Sequence, residues 1–407
     1  MGQDRVVLVN AWHDLNAGDS AIADVSVSLA KQRWPNSAIV VHTMLGDSDP
    51  DYPGWNRHLQ RSHPDVEFLP ALYPEPQNAG STLVRRANLA RRSLESLPLL
   101  WGRGRGRADR HLAGCLALVV IGGSDLFAVR SPRVLPDLRL ARLLQPALQA
   151  AALGVPVHIW GHTLGPFETP RSRLLMAKAL DVATEVVVRE SRSRDLATEL
   201  LPASDPVELP DLAFALTGTV AAGSTTARVI FVPRAQIHAG AEAANQRLVR
   251  TFAEFGRELV QSGRCAEVLV TPQVGGPGER EQDSRICEDI VHAASDSRVV
   301  MGPEGLGPRD LRNLYAGSNA VVAVRLHGAI LAMSAGVPSF AVSYFTAKTA
   351  GVMESVGAPT SWCEWDDFTV ARALDWYDND RPRTTGPLQG RVDSHRHRIL
   401  DELGRPR

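Results

Sequence analysis

Short apolar runs alternate with longer amphipathic stretches along most of the chain. The runs are rich in Val, Ile, Leu and Ala, which is typical of strands buried on both faces of a parallel sheet. Strands are predicted at residues 6–10, 38–44, 116–121, 157–160, 186–188, 229–232, 268–270, 298–300, 320–324 and 339–344. Helices are predicted at residues 138–153, 172–181, 245–261, 283–294, 311–316, 329–335 and 351–356, and Gly or Pro follows several of them. This alternation predicts an α/β fold made of β-α-β units.

A small, polar segment at residues 217–226 interrupts the pattern and marks a domain boundary. We therefore predict an N-terminal α/β domain at 1–216, a C-terminal α/β domain at 227–375 and a helical tail at 376–407. Because the same alternation occurs on both sides of the boundary, two Rossmann-like halves that face a cleft are expected. Residues 46–76 are rich in Pro, Asp and His and are predicted to be loop with one short strand.

The composition narrows the class of partner. The chain has 407 residues, of which 44% are hydrophobic and 22% charged, as in a soluble globular protein. A net charge of -1 and an aromatic content of 6% argue against a nucleic-acid partner. No apolar run approaches the roughly 18 residues of a membrane span. The four cysteines are scattered without metal-binding spacing, so we expect reduced thiols, no metal site and a cytoplasmic location.

One segment departs from this even charge distribution. Between Arg85 and Arg110 there are eight arginines against two acids, with leucines and a tryptophan among them. One interpretation is a solvated, partly flexible excursion. The other is a basic, amphipathic patch that rests on the inner surface of an anionic membrane or holds an anionic acceptor.

The strand at 320–324 runs directly into Arg325-Leu326-His327-Gly328. Open α/β sheets bind ligands where a parallel strand turns into a helix, and the first-turn amides of that helix favour an anion. Arg325 adds a forked cation suited to carboxylate or phosphate, and His327 can exchange a proton near neutral pH. The alternative is a surface salt bridge beside a helix cap.

Other predicted strand ends carry candidate residues, namely Asn16, Gly18, Asp19, Gly122, Gly123, His162 and Arg189. The glycines allow a ligand, or a helix packed on the sheet, to approach the backbone closely. His162 is either a polar contact at the edge of a cleft or a group that orients a bound hydroxyl. Arg189 either holds an anion or forms a salt bridge with Glu190 or Asp195.

Five motifs, in this order along the chain, resemble those of the polysaccharide pyruvyl transferase family. They are N-x-G-D (Asn16, Gly18, Asp19), V-R-E-x-x-S (Val188, Arg189, Glu190, Ser193), D-x-A-F (Asp211, Ala213, Phe214), R-L-H-G (Arg325 to Gly328) and Y…K (Tyr344, Lys348). The pair Gly122-Gly123 is similar to the family's Gly-rich element. Residues 161–167 are similar to its G-Q-G-I-G-P-F element, with His162 in place of Gln.

The resemblance implies a glycosyltransferase-B-like arrangement and the transfer of pyruvate from phosphoenolpyruvate to two hydroxyls of a sugar or glycoconjugate, forming a ketal and releasing phosphate. Phosphoenolpyruvate is then a co-substrate, and no cofactor or metal is implied. In this scheme the C-terminal half holds the donor through Arg325, Lys348 and the turn at Leu326 and Gly328, helped by Arg189. His327 is the acid or base, while Asn16 and Asp19 bind the acceptor from the N-terminal half.

Two alternatives remain open. A nucleotide-sugar-dependent glycosyltransferase on the same fold would hold a diphosphate at the same helix start, with Arg325 and Lys348 as its cations. A non-catalytic binding relative would bind phosphoenolpyruvate without releasing phosphate.

Overall fold

The computed structural model describes residues 4–47, 52, 54–74, 109–123, 127–129, 134–218, 227–237, 240–275, 282–344, 346–382 and 386–406. The chain forms two compact units. The first unit consists of Met1–Asp14, Ile22–Leu212 and Arg398–Arg407, and the second consists of Leu15–Ala21 and Ala213–His397. This division differs from the predicted boundaries, because the segment Leu15–Ala21 is part of the second unit and the predicted tail is divided between the two. Most of the arginine-rich segment lies outside the described residues.

The first unit is built on a seven-stranded sheet of order β3-β2-β1-β4-β6-β8-β9, and β5 and β7 pair separately. All of these pairings are parallel. The strands are β1 (Arg5–Ala11), β2 (Ala38–Thr43), β3 (Glu67–Leu69), β4 (Ala117–Ile121), β5 (Phe127–Val129), β6 (Val157–His162), β7 (Leu164–Phe167), β8 (Glu185–Val188) and β9 (Val207–Glu208). Every residue of β4 is buried, as the apolar run predicts.

The second unit is built on a six-stranded sheet of order β12-β11-β10-β13-β14-β15, again with parallel pairings. Its strands are β10 (Arg228–Val232), β11 (Glu267–Val270), β12 (Val299–Met301), β13 (Ala320–Ala323), β14 (Ser339–Ser343) and β15 (Trp362–Glu364). In both sheets the order reverses beside the first strand, which is the doubly wound Rossmann pattern. The reversal, or switch point, lies between β1 and β4 in the first unit and between β10 and β13 in the second.

Helices connect the strands of both sheets. They are α1 (Ala17–Arg33), α2 (Arg57–Ser62), α3 (Asp109–Leu112), α4 (Val134–Ala152), α5 (Pro170–Val182), α6 (Ser191–Leu200), α7 (Glu242–Gln261), α8 (Ser284–Ala294), α9 (Pro308–Ala316), α10 (Leu326–Ser334), α11 (Thr346–Ser355), α12 (Val370–Asp375) and α13 (Gly386–Leu403). The start of α5 shows how local sequence begins a helix. Thr169 accepts a bond from the Ser172 amide (3.0 Å), and the Ser172 hydroxyl accepts one from the Thr169 amide (3.3 Å), with Pro170 at the first helical position.

Two elements differ from the prediction in ways that matter. Helix α10 begins at Leu326 rather than at 329, so Leu326, His327 and Gly328 form its first turn. The region 46–76 was expected to be loop with one strand, yet it contains α2. That short helix is stabilised from outside its own sequence, because the carboxylate of Asp14 accepts the first-turn amides of His58 and Leu59.

Candidate active site

The switch point of the second sheet carries Arg325 and His327. Strand β13 ends at Ala323, and Arg325 occupies the position directly before α10. Helix α10 packs closely on the sheet at Gly328, where a methyl group would lie 3.1 Å from Val232 and 3.2 Å from the Ala323 side chain. A methyl group there would also lie 2.9 Å from Oε1 of Gln273, so the glycine permits this close packing. The packing brings the first-turn amides to the carboxyl edge of the sheet.

Arg325 is held by a buried carboxylate. Its Nε and Nη2 donate to the two oxygens of Asp283 at 3.1 and 2.7 Å. The side chain of Asp283 is 2% exposed and that of Arg325 is 15% exposed. Among the described residues no partner bonds Nη1 of Arg325, so one edge of its guanidinium faces away from the pair. The alternative interpretation from the sequence was a surface salt bridge. Arg325 does form a salt bridge, but it is forked and largely buried, and it fixes the direction of the arginine.

Asp283 also organises the loop that follows β11. Its Oδ2 accepts the amides of Gln273 (3.3 Å) and Val274 (2.9 Å). The same loop binds the segment that carries the N-x-G-D motif. Gly275 donates its amide to the carbonyl of Leu15 (2.8 Å), and Ala17 donates to the carbonyl of Gln273 (3.3 Å).

The N-x-G-D motif therefore lies in the second unit, beside His327. A methyl group built on Gly18 would come within 2.5 Å of Cγ and 2.8 Å of Cβ of His327. Asn16 accepts the Gly18 amide at 3.2 Å and donates to Asp19 at 2.7 Å. The sequence assigned Asn16 and Asp19 to the N-terminal half, whereas the structure places them in the second unit, since the backbone bonds of this segment tie it to the loop after β11. Their role in binding an acceptor stays a prediction.

Lys348 lies in the first turn of α11, which follows β14 and Tyr344. Its side chain is partly exposed. Because β14 is the neighbour of β13, Tyr344 and Arg325 follow adjacent parallel strands at the same edge of the sheet.

The candidates of the first unit form a separate, interlocked group. Arg189 donates through Nη1 to Asp211 and through Nε to the hydroxyl of Thr163 (2.8 Å). The partner of Arg189 is thus Asp211 of the D-x-A-F motif, not Glu190 or Asp195. Both side chains of the pair are buried. The predicted anion-binding role of Arg189 must therefore compete with an ion pair that already exists.

Ser193 links two more motifs in that unit. Its hydroxyl accepts the amide of Leu164 (2.8 Å) and donates to Glu190 (3.0 Å). The V-R-E-x-x-S element is thereby joined to the G-H-T-L-G-P-F element. A structural role explains the spacing of these residues without any ligand.

His162 is fully buried at the end of β6. Desolvation lowers the pKa of His162 to about 3, and the positive charge of the nearby Arg189 adds a smaller decrease. The polar backbone groups of Val120 and Ile121 act in the opposite direction and raise this pKa, but by less. The ring is consequently neutral at physiological pH. This complete burial bears equally on both interpretations from the sequence, the polar contact at the edge of a cleft and the group that orients a bound hydroxyl, because the side chain exposes no surface.

Gly122 lies against the backbone of a neighbouring strand. A methyl group there would lie 2.5 Å from the carbonyl oxygen of Gly161, at the end of β6. The carbonyl of Gly123 accepts the amide of Thr163 at 3.3 Å. The paired glycines thus allow the ends of β4 and β6 to approach each other.

Sequence reasoning missed Arg234, Gln273 and Asp283. Arg234 follows β10, and its guanidinium lies 4.2 Å from the centre of the Tyr344 ring. Gln273 is 5% exposed, and its Oε1 has no partner among the described residues. Arg234 follows a strand end as Arg325 does, so the same sequence pattern could have identified it. No sequence pattern points to Asp283, because it lies directly before a helix that is distant in the chain from Arg325.

Two further features bear on the class of protein. Among the described ranges, no cluster of three or more His, Cys, Asp or Glu side chains has an arrangement suited to a metal ion. In the same part of the chain, no helix combines the length and the apolar character needed to cross a membrane. The four cysteines are buried, free thiols.

Several solved structures share the fold. The UDP-N-acetylglucosamine 2-epimerase of Neisseria meningitidis, bound to UDP-GlcNAc, has a TM-score of 0.58 at 11% identity, covering 98% of this chain and 99% of that one. The Medicago truncatula UGT71G1, complexed with UDP-glucose, has a TM-score of 0.56 at 11% identity and covers 99% and 98%. These likenesses and the two parallel sheets confirm the predicted glycosyltransferase-B-like class with two Rossmann-like halves.

Sequence comparison gives the family. The amylovoran biosynthesis protein AmsJ of Erwinia amylovora is 24% identical over 262 residues, which cover 60% of this chain and 60% of AmsJ. The chain thus matches somewhat more than half the length of this curated relative. A family model described as polysaccharide pyruvyl transferase matches residues 16–344, from the N-x-G-D motif to Tyr344. The chain belongs to the polysaccharide pyruvyl transferase family.

Proposed function

We propose that the protein transfers pyruvate from phosphoenolpyruvate to two hydroxyls of a sugar or glycoconjugate, in the biosynthesis of a polysaccharide or a related glycan. Family membership supports the reaction type. The observation that carries the proposal is the pairing of a fixed arginine, Arg325, with His327 in the first turn of a helix at a Rossmann switch point.

In the proposed donor site, Asp283 fixes Arg325 and Arg325 binds the anion. Asp283 takes Nε and Nη2 of Arg325, which leaves Nη1 to donate to a carboxylate or phosphate oxygen. The amides of Leu326 and His327 in the first turn of α10 add donors for the same anion, whereas the Gly328 amide donates to the Arg325 carbonyl at 2.7 Å. Phosphoenolpyruvate has two anionic groups, so further cations are needed, and Lys348 and Arg189 are the candidates from sequence.

The proposed chemistry balances without a cofactor. A proton adds to the methylene carbon of phosphoenolpyruvate, which makes the adjacent carbon electrophilic. The first acceptor hydroxyl adds to that carbon and loses its proton, and the second hydroxyl displaces phosphate and loses its proton. The products are the cyclic ketal and inorganic phosphate. His327 is the group proposed to take and return these protons.

The acceptor is proposed to lie near the start of α1. Asn16 and Asp19 are partly exposed, and their side chains can bind sugar hydroxyls. Their location in the second unit places them on the same unit as the proposed base. A cytoplasmic location, and contact of the arginine-rich segment with the inner membrane surface, remain predictions.

The test is calorimetric titration of the protein with phosphoenolpyruvate and, separately, with a panel of UDP-sugars. We expect phosphoenolpyruvate to bind and Arg325→Lys to weaken this binding by about tenfold or more, because lysine lacks the fork that binds both Asp283 and an anion. Lysine is preferred to alanine, since it keeps a cation near the buried Asp283. Binding of a UDP-sugar in place of phosphoenolpyruvate would reassign the protein to nucleotide-sugar chemistry.

The contact between Gly18 and His327 gives a second prediction. Gly18→Ala should lower turnover by about 100-fold with little change in the affinity for phosphoenolpyruvate, because the new methyl group displaces the imidazole and catalytic groups tolerate little misplacement. The measurement is the rate of phosphate release with an acceptor that supports turnover in the wild type.

The matched control is Gly351→Ala in α11. A methyl group there meets no atom within 4 Å, so this variant should keep full activity. Equal activity of the two alanine variants would contradict the proposed role of Gly18.

A further inference from the structure

The two strands that flank the switch point of the second sheet carry arginines in equivalent positions. Val232 of β10 pairs with Ala323 of β13. The ladder continues for one more bond, since the Val324 amide donates to the Val232 carbonyl at 2.9 Å. Arg234 and Arg325 each follow the paired residue of their own strand by two positions. Adjacent strands lie about 4.8 Å apart, so the two arginines start from neighbouring points of the same sheet edge.

The side chain of Arg234 spans the end of β13. Its guanidinium lies 4.2 Å from the ring centre of Tyr344, which follows β14. Strand β13 is between β10 and β14 in the sheet. The contact between Arg234 and Tyr344 therefore crosses the edge at which β13 turns into α10, where Arg325 and His327 lie.

A cation–π contact with an aromatic ring holds a guanidinium in place. The Arg234 guanidinium carbon lies over the Tyr344 ring, which keeps the charge of Arg234 near this edge of the sheet. Arg325 is partly neutralised by Asp283, and Arg234 adds a second positive charge at the same edge. Two fixed cations beside a helix N-terminus form a site for a ligand with two anionic groups.

We propose that Arg234 is a donor-binding residue that supplies, beside Arg325, the second cation for phosphoenolpyruvate, and that Tyr344 is its positioning residue. This inference rests on the proposed function and deepens it. It places two of the proposed cationic contacts to the donor in the second unit. It also gives to Arg234 a role that the sequence had suggested for Arg189, which forms an ion pair with Asp211.

The test compares Arg234→Gln with Arg381→Gln by calorimetric titration with phosphoenolpyruvate. Arg381 is a matched control, because its guanidinium also stacks on a tyrosine, 4.0 Å from the ring centre of Tyr377. It donates to the carbonyl of Asn319 (3.2 Å), directly before β13, so it lies at the opposite, amino edge of the sheet. Arg234→Gln should weaken binding by about tenfold to 100-fold, as loss of a hydrogen bond between charged groups does, and Arg381→Gln should leave it unchanged.

Variants of Tyr344 separate positioning from direct binding. Tyr344→Phe keeps the ring and should bind phosphoenolpyruvate as the wild type does. Tyr344→Leu removes the ring and should reproduce part of the loss in Arg234→Gln. Adding Tyr344→Leu to Arg234→Gln should cause little further loss, because both changes remove the same contact.

The outcomes separate this inference from the proposed function. If the wild type binds phosphoenolpyruvate, Arg325→Lys weakens binding and Arg234→Gln does not, the role of Arg234 is wrong and the proposed function stands. If the wild type binds no phosphoenolpyruvate, both fall. Equal losses in Arg234→Gln and Arg381→Gln would also contradict the inference, since they would reflect a general loss of charge.

Discussion

Replacing His327 by alanine is expected to reduce pyruvyl transfer by about 100-fold to 10,000-fold while phosphoenolpyruvate still binds. The reason is the position of the imidazole. It lies in the first turn of α10, next to the fixed Arg325, and its ring packs on the backbone of Gly18. A base held in this way can remove a proton from an acceptor hydroxyl, whereas the contacts proposed for the anionic groups of the donor belong to other residues.

The measurement combines the rate of phosphate release with a titration of phosphoenolpyruvate. The control is His292→Ala, which removes an exposed histidine from the last turn of α8 in the same unit. We expect the control to retain normal turnover and both variants to retain donor binding. Near-normal turnover in a folded His327→Ala protein would overturn the assignment of His327 as the acid or base.

Local sequence was sufficient for the centre of the candidate site. The buried run before Arg325 predicts a strand, the following residues predict a helix, and the rule for ligand positions in open α/β sheets then selects Arg325 and His327. Each of these steps uses residues that are close together in the chain. The strand order that makes this edge a switch point became visible only in the structure.

The partners of these residues could not be predicted, because they depend on contacts between distant parts of the chain. Asp283, the residue directly before α8, binds Arg325. Arg189 binds Asp211, although Glu190 and Asp195 are closer to it along the chain. A charge pattern in one sequence does not distinguish these candidates. The N-x-G-D motif was assigned to the wrong unit for the same reason, since backbone bonds to the loop after β11 decide where it lies.

Removing one partner of the buried ion pair at the amino end of β8 is expected to destabilise the first unit strongly. Glu185 accepts from Arg33 Nη2 (2.9 Å), from Trp160 Nε1 (2.8 Å) and contacts His158 Nδ1 (2.9 Å). The side chain of Arg33 is 1% exposed and that of Glu185 is 10% exposed. Glu185→Gln keeps the shape but leaves the Arg33 cation without its carboxylate. Breaking a buried pair in this way costs about 3–5 kcal/mol in the free energy of unfolding.

The pKa of Glu185 gives this prediction a pH dependence. Burial favours the neutral acid, but the bonds from His158, Arg33 and Trp160 outweigh it and lower the pKa of Glu185 to about 2 from its ordinary value of 4.5. Because the folded state holds the proton less tightly than the unfolded state, this stabilisation is complete above pH 4.5 and is lost as the pH falls towards 2. The difference between the wild type and Glu185→Gln should therefore be largest near neutral pH and shrink in acid.

Urea unfolding followed by tryptophan fluorescence at pH 7 and at acidic pH measures this difference, since Trp160 is part of the cluster. The control is Glu199→Gln, which removes an exposed partner of Arg173 in the same unit. An exposed pair contributes about 0–1 kcal/mol, so the control should unfold almost as the wild type does. If Glu185→Gln were as stable as this control at pH 7, the Arg33–Glu185 pair would not stabilise the first unit, and its role would have to lie in packing against Trp160 rather than in charge.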